Sequence, residues 1–295
     1  MTGFFSGIAT AMITPFDENG VNLEELGKMI EFQIDGGTDA LVILGTTGEP
    51  ATMTEAEKES VIRYSVKKAD GRIKIIVGTG SNDTAKAVAS SVKAEKLGAD
   101  GVLAVTPYYN KCTQKGLYDY YKAICDAVSI PVIAYNVPSR TSVNILPETV
   151  EKLAEIPNMA GIKEASGNMA QVCETMRRIR GKTDLYSGED FLNLPMLAIG
   201  GAGLISVASN IAPALLKKMY TLVKQNRLEE ANAVQDFLLP LEDACFLEVN
   251  PIPVKAAYNM LGFNAGVPRS PLTELEEENK IKLKKAIKNA GLKGI

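Results

Sequence analysis

The sequence of 295 residues contains no histidine. This absence excludes mechanisms that depend on one: Ser-His-Asp and Cys-His nucleophile pairs, histidine-rich zinc sites and the two-histidine, one-carboxylate iron triad. An enzyme of this composition has to move protons with Lys, Tyr, Asp, Glu, Cys or water.

Cysteine is scarce, and the four residues at positions 112, 125, 173 and 245 form no C-x-x-C pair. A zinc or redox motif is therefore not expected, and scattered cysteines are typical of a reducing cytosol, so we predict a cytoplasmic protein. The net charge of −3, from 32 basic and 35 acidic residues, lacks the basic excess of nucleic-acid-binding proteins. We predict no nucleic-acid partner.

The chain does not open with a basic segment followed by an apolar one, so we expect no signal peptide. Residues 191–216 carry no charge, but glycine, proline and asparagine interrupt them, which argues against a spanning helix. We interpret this segment as a helix, a glycine turn, a buried strand and a helix that starts near Pro213. No membrane association is predicted.

Short apolar runs alternate with longer amphipathic segments, as expected of parallel strands covered on both faces. The predicted strands are Ile8–Ile13, Ala40–Leu44, Ile73–Val77, Gly101–Val105, Pro131–Tyr135, Ala160–Lys163, Asp184–Ser187 and Gly203–Val207. They recur about every 30 residues, the size of one βα unit. Eight such units predict an α/β fold, the (β/α)8 TIM barrel. The alternative, a doubly wound open sheet, usually has a glycine-rich turn after its first strand, which is missing here.

Helical periodicity lies between these runs and continues after the last of them. The predicted helices include Leu23–Asp35, Glu55–Ala69, Thr84–Leu97, Leu117–Val128, Met169–Ile179, Leu215–Gln225, Leu228–Leu238 and Thr273–Ala290. We therefore predict a catalytic barrel domain over residues 1–225 and a helical C-terminal extension over residues 226–295. Because no low-complexity linker separates them, the extension should pack on the barrel.

Lys163 ends one of the apolar runs, directly before a Ser-Gly turn. This pattern predicts a buried strand with an amino group at its C-terminal end. A buried lysine is costly unless it is paired or deprotonated, and a deprotonated lysine is a nucleophile for carbonyl compounds. Judged on this segment alone, a lysine that reaches solvent or pairs with a carboxylate is the favoured interpretation.

Other polar residues follow the predicted strands, and barrel active sites lie at the C-terminal ends of strands. These turns are 45–49, 78–82, 106–110, 135–141 and 187–190. Each alone fits an ordinary turn, a helix cap or a surface ion pair. Together they supply Thr and Tyr hydroxyls and one arginine, with no metal-ligand cluster, so we predict no metal. That set suits imine chemistry on a small carboxylated carbonyl compound.

Four motifs in this order resemble those of the 4-hydroxy-tetrahydrodipicolinate synthase (dihydrodipicolinate synthase) family, pyruvate-dependent aldolases that act through a Schiff base. They are Gly45–Glu49, Tyr108–Asn110, Tyr135–Thr141 and Gly161–Ala165, and the resemblance extends from near residue 4 to beyond the stretch 250–255. It implies condensation of pyruvate with L-aspartate 4-semialdehyde in lysine and diaminopimelate biosynthesis, with no cofactor beyond the covalent pyruvate adduct.

The resemblance also implies roles for individual residues. Lys163 would form the Schiff base with pyruvate. Tyr135 would relay protons, with hydrogen bonds to Thr46 and to Tyr109 from a neighbouring subunit. Family members are commonly tetramers built as dimers of dimers, and the role of Tyr109 requires at least a dimer.

Four further positions would bind substrate on the same resemblance. Thr47 would hold the pyruvate carboxylate, and Arg140 would bind the carboxylate of aspartate semialdehyde. Gly188 and Ile205 would shape the pyruvate pocket.

One departure from the family pattern concerns regulation. In lysine-inhibited members, a cleft binds lysine at the dimer interface, and its positions here carry Glu55, Lys58, Asn82 and Lys86. In the sensitive pattern the first two are histidines and the last is a glutamate. Lys86 thus replaces an anion with a charge that repels the inhibitor's amine, and we predict a degenerate cleft and insensitivity to lysine.

Two alternatives stay open. Another pyruvate-dependent aldolase, such as an N-acetylneuraminate lyase or a keto-deoxy-sugar-acid aldolase, would share Lys163 and Tyr135, but would not be expected to need both Arg140 and Tyr109. A non-catalytic keto-acid sensor need not keep the nucleophile together with its proton relay.

Overall fold

The computed structural model of the protein describes residues 3–292. The strands are β1 (Gly7–Ala11), β2 (Phe16–Asp17), β3 (Gly20–Val21), β4 (Ala40–Ile43), β5 (Lys74–Gly78), β6 (Gly101–Val105), β7 (Val132–Asn136), β8 (Met159–Glu164), β9 (Asp184–Ser187) and β10 (Gly203–Ser206). Eight of them close a barrel in the order β1-β10-β9-β8-β7-β6-β5-β4, and β2 and β3 form a hairpin. The predicted (β/α)8 barrel is confirmed. The predicted and observed ends of its eight strands differ by at most two residues.

The α-helices alternate with these strands and then continue alone. They are α1 (Leu23–Asp35), α2 (Glu55–Ala69), α3 (Thr84–Lys96), α4 (Gln114–Ala127), α5 (Pro138–Thr141), α6 (Pro147–Leu153), α7 (Met169–Ile179), α8 (Asn193–Ala198), α9 (Pro213–Lys224), α10 (Leu228–Ala244), α11 (Ile252–Met260) and α12 (Glu277–Asn289). The interpretation of residues 191–216 as helix, turn, strand and helix is confirmed. No helix within residues 3–292 combines the length and the apolarity needed to cross a membrane.

Some helix ends differ from the prediction. Helix α4 begins three residues before the predicted Leu117, because the Thr113 hydroxyl accepts a hydrogen bond from Gly116 N at 3.2 Å and caps it. Helix α10 continues past the predicted end at Leu238 and includes Pro240. Helix α11 lies in the predicted helical extension, but no bounds were predicted for it.

The described residues form two compact units: the central unit, residues 3–7 and 75–205, and the terminal unit, residues 8–74 and 206–292. In the central unit, strands β5 to β10 are parallel neighbours. Their Val, Ile, Leu and Ala side chains are almost all buried, as expected of strands covered on both faces. Phe5 stacks on Tyr186 with ring centroids 4.3 Å apart.

In the terminal unit, β1 pairs with β4, and a buried amide organises the contacts around them. Gln33 Oε1 accepts hydrogen bonds from Thr10 and Thr38, and its Nε2 donates to the Asn210 carbonyl at 2.9 Å. Helix α10 packs on α9 and on α12, and α11 also packs on α12.

The predicted domain boundary at residue 225 falls between α9 and α10. The division into a barrel domain and an extension stays a prediction. The outer ends of its two ranges, residues 1–2 and 293–295, lie outside the described residues.

Candidate active site

Lys163 lies near the end of β8 and is only 5% exposed. Its register partner on β7 is Tyr135, and Lys163 Nζ lies 4.2 Å from the centroid of the Tyr135 ring. The sequence places Gly161 two residues earlier on the same strand face. A Cβ on Gly161 would come within 2.7 Å of the Tyr186 ring, so only glycine lets β8 approach this neighbour. The lysine and tyrosine that the sequence singled out are therefore brought together.

Burial lowers the pKa of Lys163 from its ordinary value of 10.5 to about 8. Asp190 opposes this lowering, the nearby Arg140 guanidinium adds to it, and Glu189 opposes it. Lys163 forms no ion pair within residues 3–292. Because burial is the largest cause and no carboxylate of residues 3–292 lies within ion-pair distance, the neutral amine is favoured relative to that of an exposed lysine.

Gly188 lies directly against the Lys163 side chain. A Cβ at Gly188 would stand 2.8 Å from both Cγ and Cε of Lys163, so a larger residue here would displace the amine. The Gly188 N–H donates to the Glu164 carbonyl at 2.9 Å, which fixes this close approach. Ile205, on β10, is fully buried. The structure thus places Gly188 beside Lys163, and it places Ile205 in the core of the central unit.

Arg140 and Tyr109 occupy exposed positions in the central unit. Arg140 lies on the short helix α5, directly after β7, and its charge acts on Lys163. Tyr109 is 91% exposed and has a φ of 70°, a backbone conformation that bulky residues rarely adopt. The chain itself therefore does not bury Tyr109 beside Lys163.

The two predicted threonines belong to the terminal unit. They open a 3-10 turn, Thr46–Gly48, directly after β4. Thr47 is buried, and its hydroxyl accepts a hydrogen bond from Asn250 Nδ2 at 2.9 Å. Asn250 lies two residues before the start of α11, so the segment that leads into this helix supports the turn.

Glu49 ends the same turn with a φ of 56°, and its carboxylate is buried. Lys255 Nζ donates to Glu49 Oε1 at 2.8 Å, and the Arg269 N–H donates to Oε2 at 2.8 Å. The sequence had suggested only a helix cap or a turn residue here. A partner more than 200 residues away is not visible in a local pattern.

The predicted cleft residues lie on two helices and one turn. In the terminal unit, Lys58 and Glu55 form an ion pair of 2.8 Å on α2. In the central unit, the Asn82 carbonyl accepts a hydrogen bond from Asn110, and Lys86 is exposed in the first turn of α3.

Sequence reasoning also missed a polar network beside Lys163. Glu164 and Asn136 are 1% and 0% exposed and hydrogen-bond to each other. Burial raises the pKa of Glu164, and the hydrogen bonds that Asn136 and Ser166 donate oppose this. Both residues stand in the quoted motifs, but a polar residue at a strand end gives no sign of whether it is buried.

The described part of the chain, residues 3–292, holds no group of three or more Cys, Asp or Glu residues arranged to bind a metal ion. Fold and site together define a class of protein: a (β/α)8 barrel with a buried lysine at the end of a strand, stacked over a tyrosine.

Comparison with known proteins gives the family. The sequence model of the Dihydrodipicolinate synthetase family matches residues 4–290, and the chain belongs to this family. A 4-hydroxy-tetrahydrodipicolinate synthase of Caldicellulosiruptor bescii is 50% identical over 289 residues, which cover 98% of each protein.

Solved structures agree with this assignment. The crystal structure of dihydrodipicolinate synthase from Aquifex aeolicus is 45% identical with a TM-score of 0.95, covering 98% of this chain and 99% of that one. The enzyme from Cyanidioschyzon merolae, determined with lysine bound, is 38% identical with a TM-score of 0.96, covering 99% of this chain and 100% of that one.

Proposed function

We propose that this protein is a 4-hydroxy-tetrahydrodipicolinate synthase, a lyase that condenses pyruvate with L-aspartate 4-semialdehyde through an imine on Lys163. The observation that carries the proposal is a buried lysine with a pKa of about 8, no ion pair within residues 3–292, and a tyrosine ring 4.2 Å away. Membership of the family and the names of relatives that match nearly the whole chain support the reaction.

The proposed chemistry begins with the neutral Lys163 amine, which attacks the keto carbon of pyruvate. The resulting carbinolamine loses water and becomes an imine. Loss of a methyl proton converts the imine to an enamine, whose carbon attacks the aldehyde of aspartate semialdehyde. The amine of the second substrate then attacks the imine carbon, closes the ring and releases Lys163. No cofactor is needed, because the protonated imine between Lys163 and pyruvate accepts the electron pair of the broken C–H bond.

The other predicted residues keep their roles as part of this proposal. Tyr135 transfers protons, which its position beside Lys163 supports. Arg140 binds the second substrate's carboxylate through a bidentate contact. Thr46 and Thr47 complete the proton relay and the pyruvate carboxylate site, and this assignment rests on the family resemblance.

Trapping tests the nucleophile. Borohydride reduction in the presence of pyruvate should leave a stable pyruvyl adduct on the peptide that contains Lys163, read by mass spectrometry, with no adduct when pyruvate is omitted. An adduct on another lysine, or none, contradicts the assignment. Turnover with aspartate semialdehyde but not with sugar acids separates the synthase from the other aldolases.

We further propose a homo-oligomer, a tetramer built as a dimer of dimers, in which Tyr109 enters the neighbouring subunit's site. Its 91% exposure and its strained φ of 70° support an outward-facing role. Tyr109→Phe should reduce turnover while sedimentation stays unchanged, whereas Tyr108→Phe, at a neighbouring exposed tyrosine, should not. A monomer with full activity would contradict this proposal.

Insensitivity to lysine also belongs to the proposal. The exposed ammonium group of Lys86 and the Glu55–Lys58 ion pair support it, because a lysine ligand needs anions for its amines. The lysine bound to the Cyanidioschyzon merolae enzyme shows that family members do bind it. Turnover should be unaffected in a lysine titration, and Lys86→Glu should gain inhibition. Strong inhibition of the wild type would refute the idea.

A cytoplasmic location is the last part of the proposal. The cysteines at positions 112, 125, 173 and 245 are all free, which is typical of reducing compartments.

A further inference from the structure

We propose that Glu164 is a positioning residue that holds the segment carrying Arg140 through the side chain of Asn136. This inference rests on the proposed function, since it assigns to Glu164 a role in binding the second substrate. Glu164, Asn136 and Arg140 all lie within the central unit.

Glu164 and Asn136 form a second pair directly after the proposed reactive pair. Lys163 is in register with Tyr135, and Glu164 is in register with Asn136 one residue further along both strands. Successive side chains on a strand point to opposite faces. The second pair therefore lies behind the first, on the opposite face of the same two strands.

Within residues 3–292, each partner of the Glu164 carboxylate donates a hydrogen bond to it, and only the Ser166 hydroxyl among them can also accept one. Ser166 N donates to Oε1 at 2.7 Å, and Asn136 Nδ2 lies 3.2 Å from Oε1 and 3.0 Å from Oε2. Gln171 Nε2 lies 3.5 Å from Oε2. Glu164 forms no ion pair within residues 3–292. Directed donors, rather than a cation, hold this buried anion in place, so its geometry is specific.

Asn136 passes this constraint to the segment that carries Arg140. Its Oδ1 accepts a hydrogen bond from Ile145 N at 2.9 Å, and its Nδ2 donates to Asn144 Oδ1 at 2.8 Å. These two bonds join the start and the end of residues 136–145, which include α5 and Arg140. Because the Ile145 N–H fixes which side of the Asn136 amide is oxygen, the NH2 group must face Glu164.

Because the partners of the Glu164 carboxylate donate hydrogen bonds, the network should be sensitive to a substitution that changes its hydrogen bonding but hardly its shape. Glu164→Gln replaces one carboxylate oxygen with an NH2 group. In either orientation that NH2 group meets a donor, from Ser166 and Asn136 on one side or from Asn136 and Gln171 on the other. A buried donor left without an acceptor is strongly unfavourable, so the Asn136 amide should be displaced.

Exchange of the amide at position 136 and the carboxylate at position 164 should restore the hydrogen bonds that Glu164→Gln loses. In the double variant N136D/E164Q, the carboxylate at position 136 still accepts from Ile145 N and now also accepts from the amide at position 164. Asn144 and Gln171 bond to each other in both directions, Nδ2 to Oε1 at 2.8 Å and Nε2 to Oδ1 at 3.0 Å, so a flip of both amides keeps this pair complementary and turns the Asn144 NH2 group towards position 136. The flip gives up only the 3.5 Å contact from Gln171 Nε2 to the Ile145 carbonyl. The exchange also keeps the net charge unchanged.

The test compares E164Q, N136D and the double variant in steady-state kinetics and in borohydride trapping with pyruvate. Each single variant should raise the KM for aspartate semialdehyde by about 10- to 100-fold, because displacement of a binding group by about 1 Å has effects of that size. Trapping with pyruvate should proceed close to the wild-type rate, since the β7–β8 backbone register is intact. The double variant should recover most of the loss.

Three results would overturn the proposal: a wild-type KM for aspartate semialdehyde in E164Q, an equal loss of pyruvate trapping, or a double variant no better than the worse single. Glu229→Gln, an exposed carboxylate on α10, is the matched control and should change neither quantity. If E164Q does not fold, Asn144→Leu breaks the same network at a half-buried position and should give the same split. Failure of trapping in the wild type would instead refute the proposed function.

Discussion

Two buried lysines, one in each unit, share most of their physical description. Burial lowers the pKa of Lys163 and of Lys255 from 10.5 to about 8. Each amine lies over an aromatic ring, 4.2 Å from the centroid of Tyr135 and 4.0 Å from that of Phe16. They differ in their partners: Lys255 Nζ bonds to the Glu49 carboxylate at 2.8 Å, whereas Lys163 forms no ion pair within residues 3–292.

The contrast shows that a lowered pKa does not identify a nucleophile. Lys255 is held as one half of a buried ion pair, and its ring neighbour Phe16 has no proton to transfer. Lys163 lies beside the ring of Tyr135, which carries a hydroxyl group. The opposite charges of Asp190 and Arg140 act on its amine without forming an ion pair with it. The partner and the ring, rather than the pKa, distinguish the lysine that we propose as the nucleophile from the lysine held in an ion pair.

The largest expected effect is a loss of turnover when Lys163, the proposed nucleophile, is replaced. Lys163→Met should reduce turnover by on the order of 10³-fold or more and abolish the pyruvate adduct, because the covalent route is lost. Lys255→Met should still form the adduct on Lys163. Coupled assays and mass spectrometry after borohydride reduction measure both, and an adduct on Lys255 in the wild type would contradict the contrast.

Stability should respond in opposite directions at the two lysines. Lys255→Met and Glu49→Gln should each lower the free energy of unfolding by about 3–5 kcal/mol, since each leaves a buried group without its partner. Lys163→Met should raise it by about 1–3 kcal/mol at pH 7, because an unpaired buried amine is removed. Urea unfolding monitored by circular dichroism provides the values. A destabilised Lys163→Met protein would mean that Lys163 has a stabilising partner.

The pH dependence of trapping should reveal the pKa of Lys163. The neutral amine reacts, so the rate of pyruvate trapping should rise about tenfold per pH unit below pH 8 and level off above it. Asp190→Asn removes a charge that favours the ammonium form, so the inflection should move to lower pH. An inflection near 10.5 would show that burial does not lower this pKa.

The same pKa shift makes the stability of the protein depend on pH. Between pH 8 and 10.5 the folded state binds fewer protons at Lys163 than the unfolded state does. The contribution of Lys163 to the free energy of unfolding therefore rises with pH in this range.

The smallest expected effect concerns an exposed ion pair of similar geometry. Lys115 and Asp119 are 2.5 Å apart on α4, but both side chains are more than half exposed. Lys115→Gln should not shift the urea midpoint measurably, because solvent screens the pair. A shift as large as that of Lys255→Met would show that distance, rather than burial, sets the strength of these pairs.

The sequence predicted one of the two lysines and not the other, for a physical reason. Lys163 ends a continuous apolar run, so its strand follows from local periodicity, and all eight barrel strands were predicted in the same way. Its burial without an ion pair did not follow from that segment alone, which favoured a lysine that reaches solvent or pairs with a carboxylate. Lys255 lies in α11, for which no bounds were predicted, and its buried amine is hydrogen-bonded to the Glu49 carboxylate. Such a contact depends on tertiary packing and leaves no periodic signal.

The same limit applies to the rest of the site. Glycine at position 188 is required by the Lys163 side chain, and the sequence alone could suggest only a turn there. Glu164 and Asn136 were visible as polar residues after two strands, but their pairing depends on the register between β7 and β8. The roles of Tyr109, Thr46 and Thr47 stay predictions, since they depend on groups outside the contacts of the central unit.

The hydrogen bonds around Glu164 also have an evolutionary consequence. Four side chains form one hydrogen-bond network: those of Asn136, Asn144, Glu164 and Gln171. Each bond has a defined donor and acceptor, and exchange of the amide and the carboxylate between positions 136 and 164 reverses donor and acceptor in several of these bonds. A single substitution is unfavourable, whereas the paired exchange is self-consistent. If Glu164 has the positioning role that we propose, descendants of this sequence should change positions 136 and 164 together or keep both.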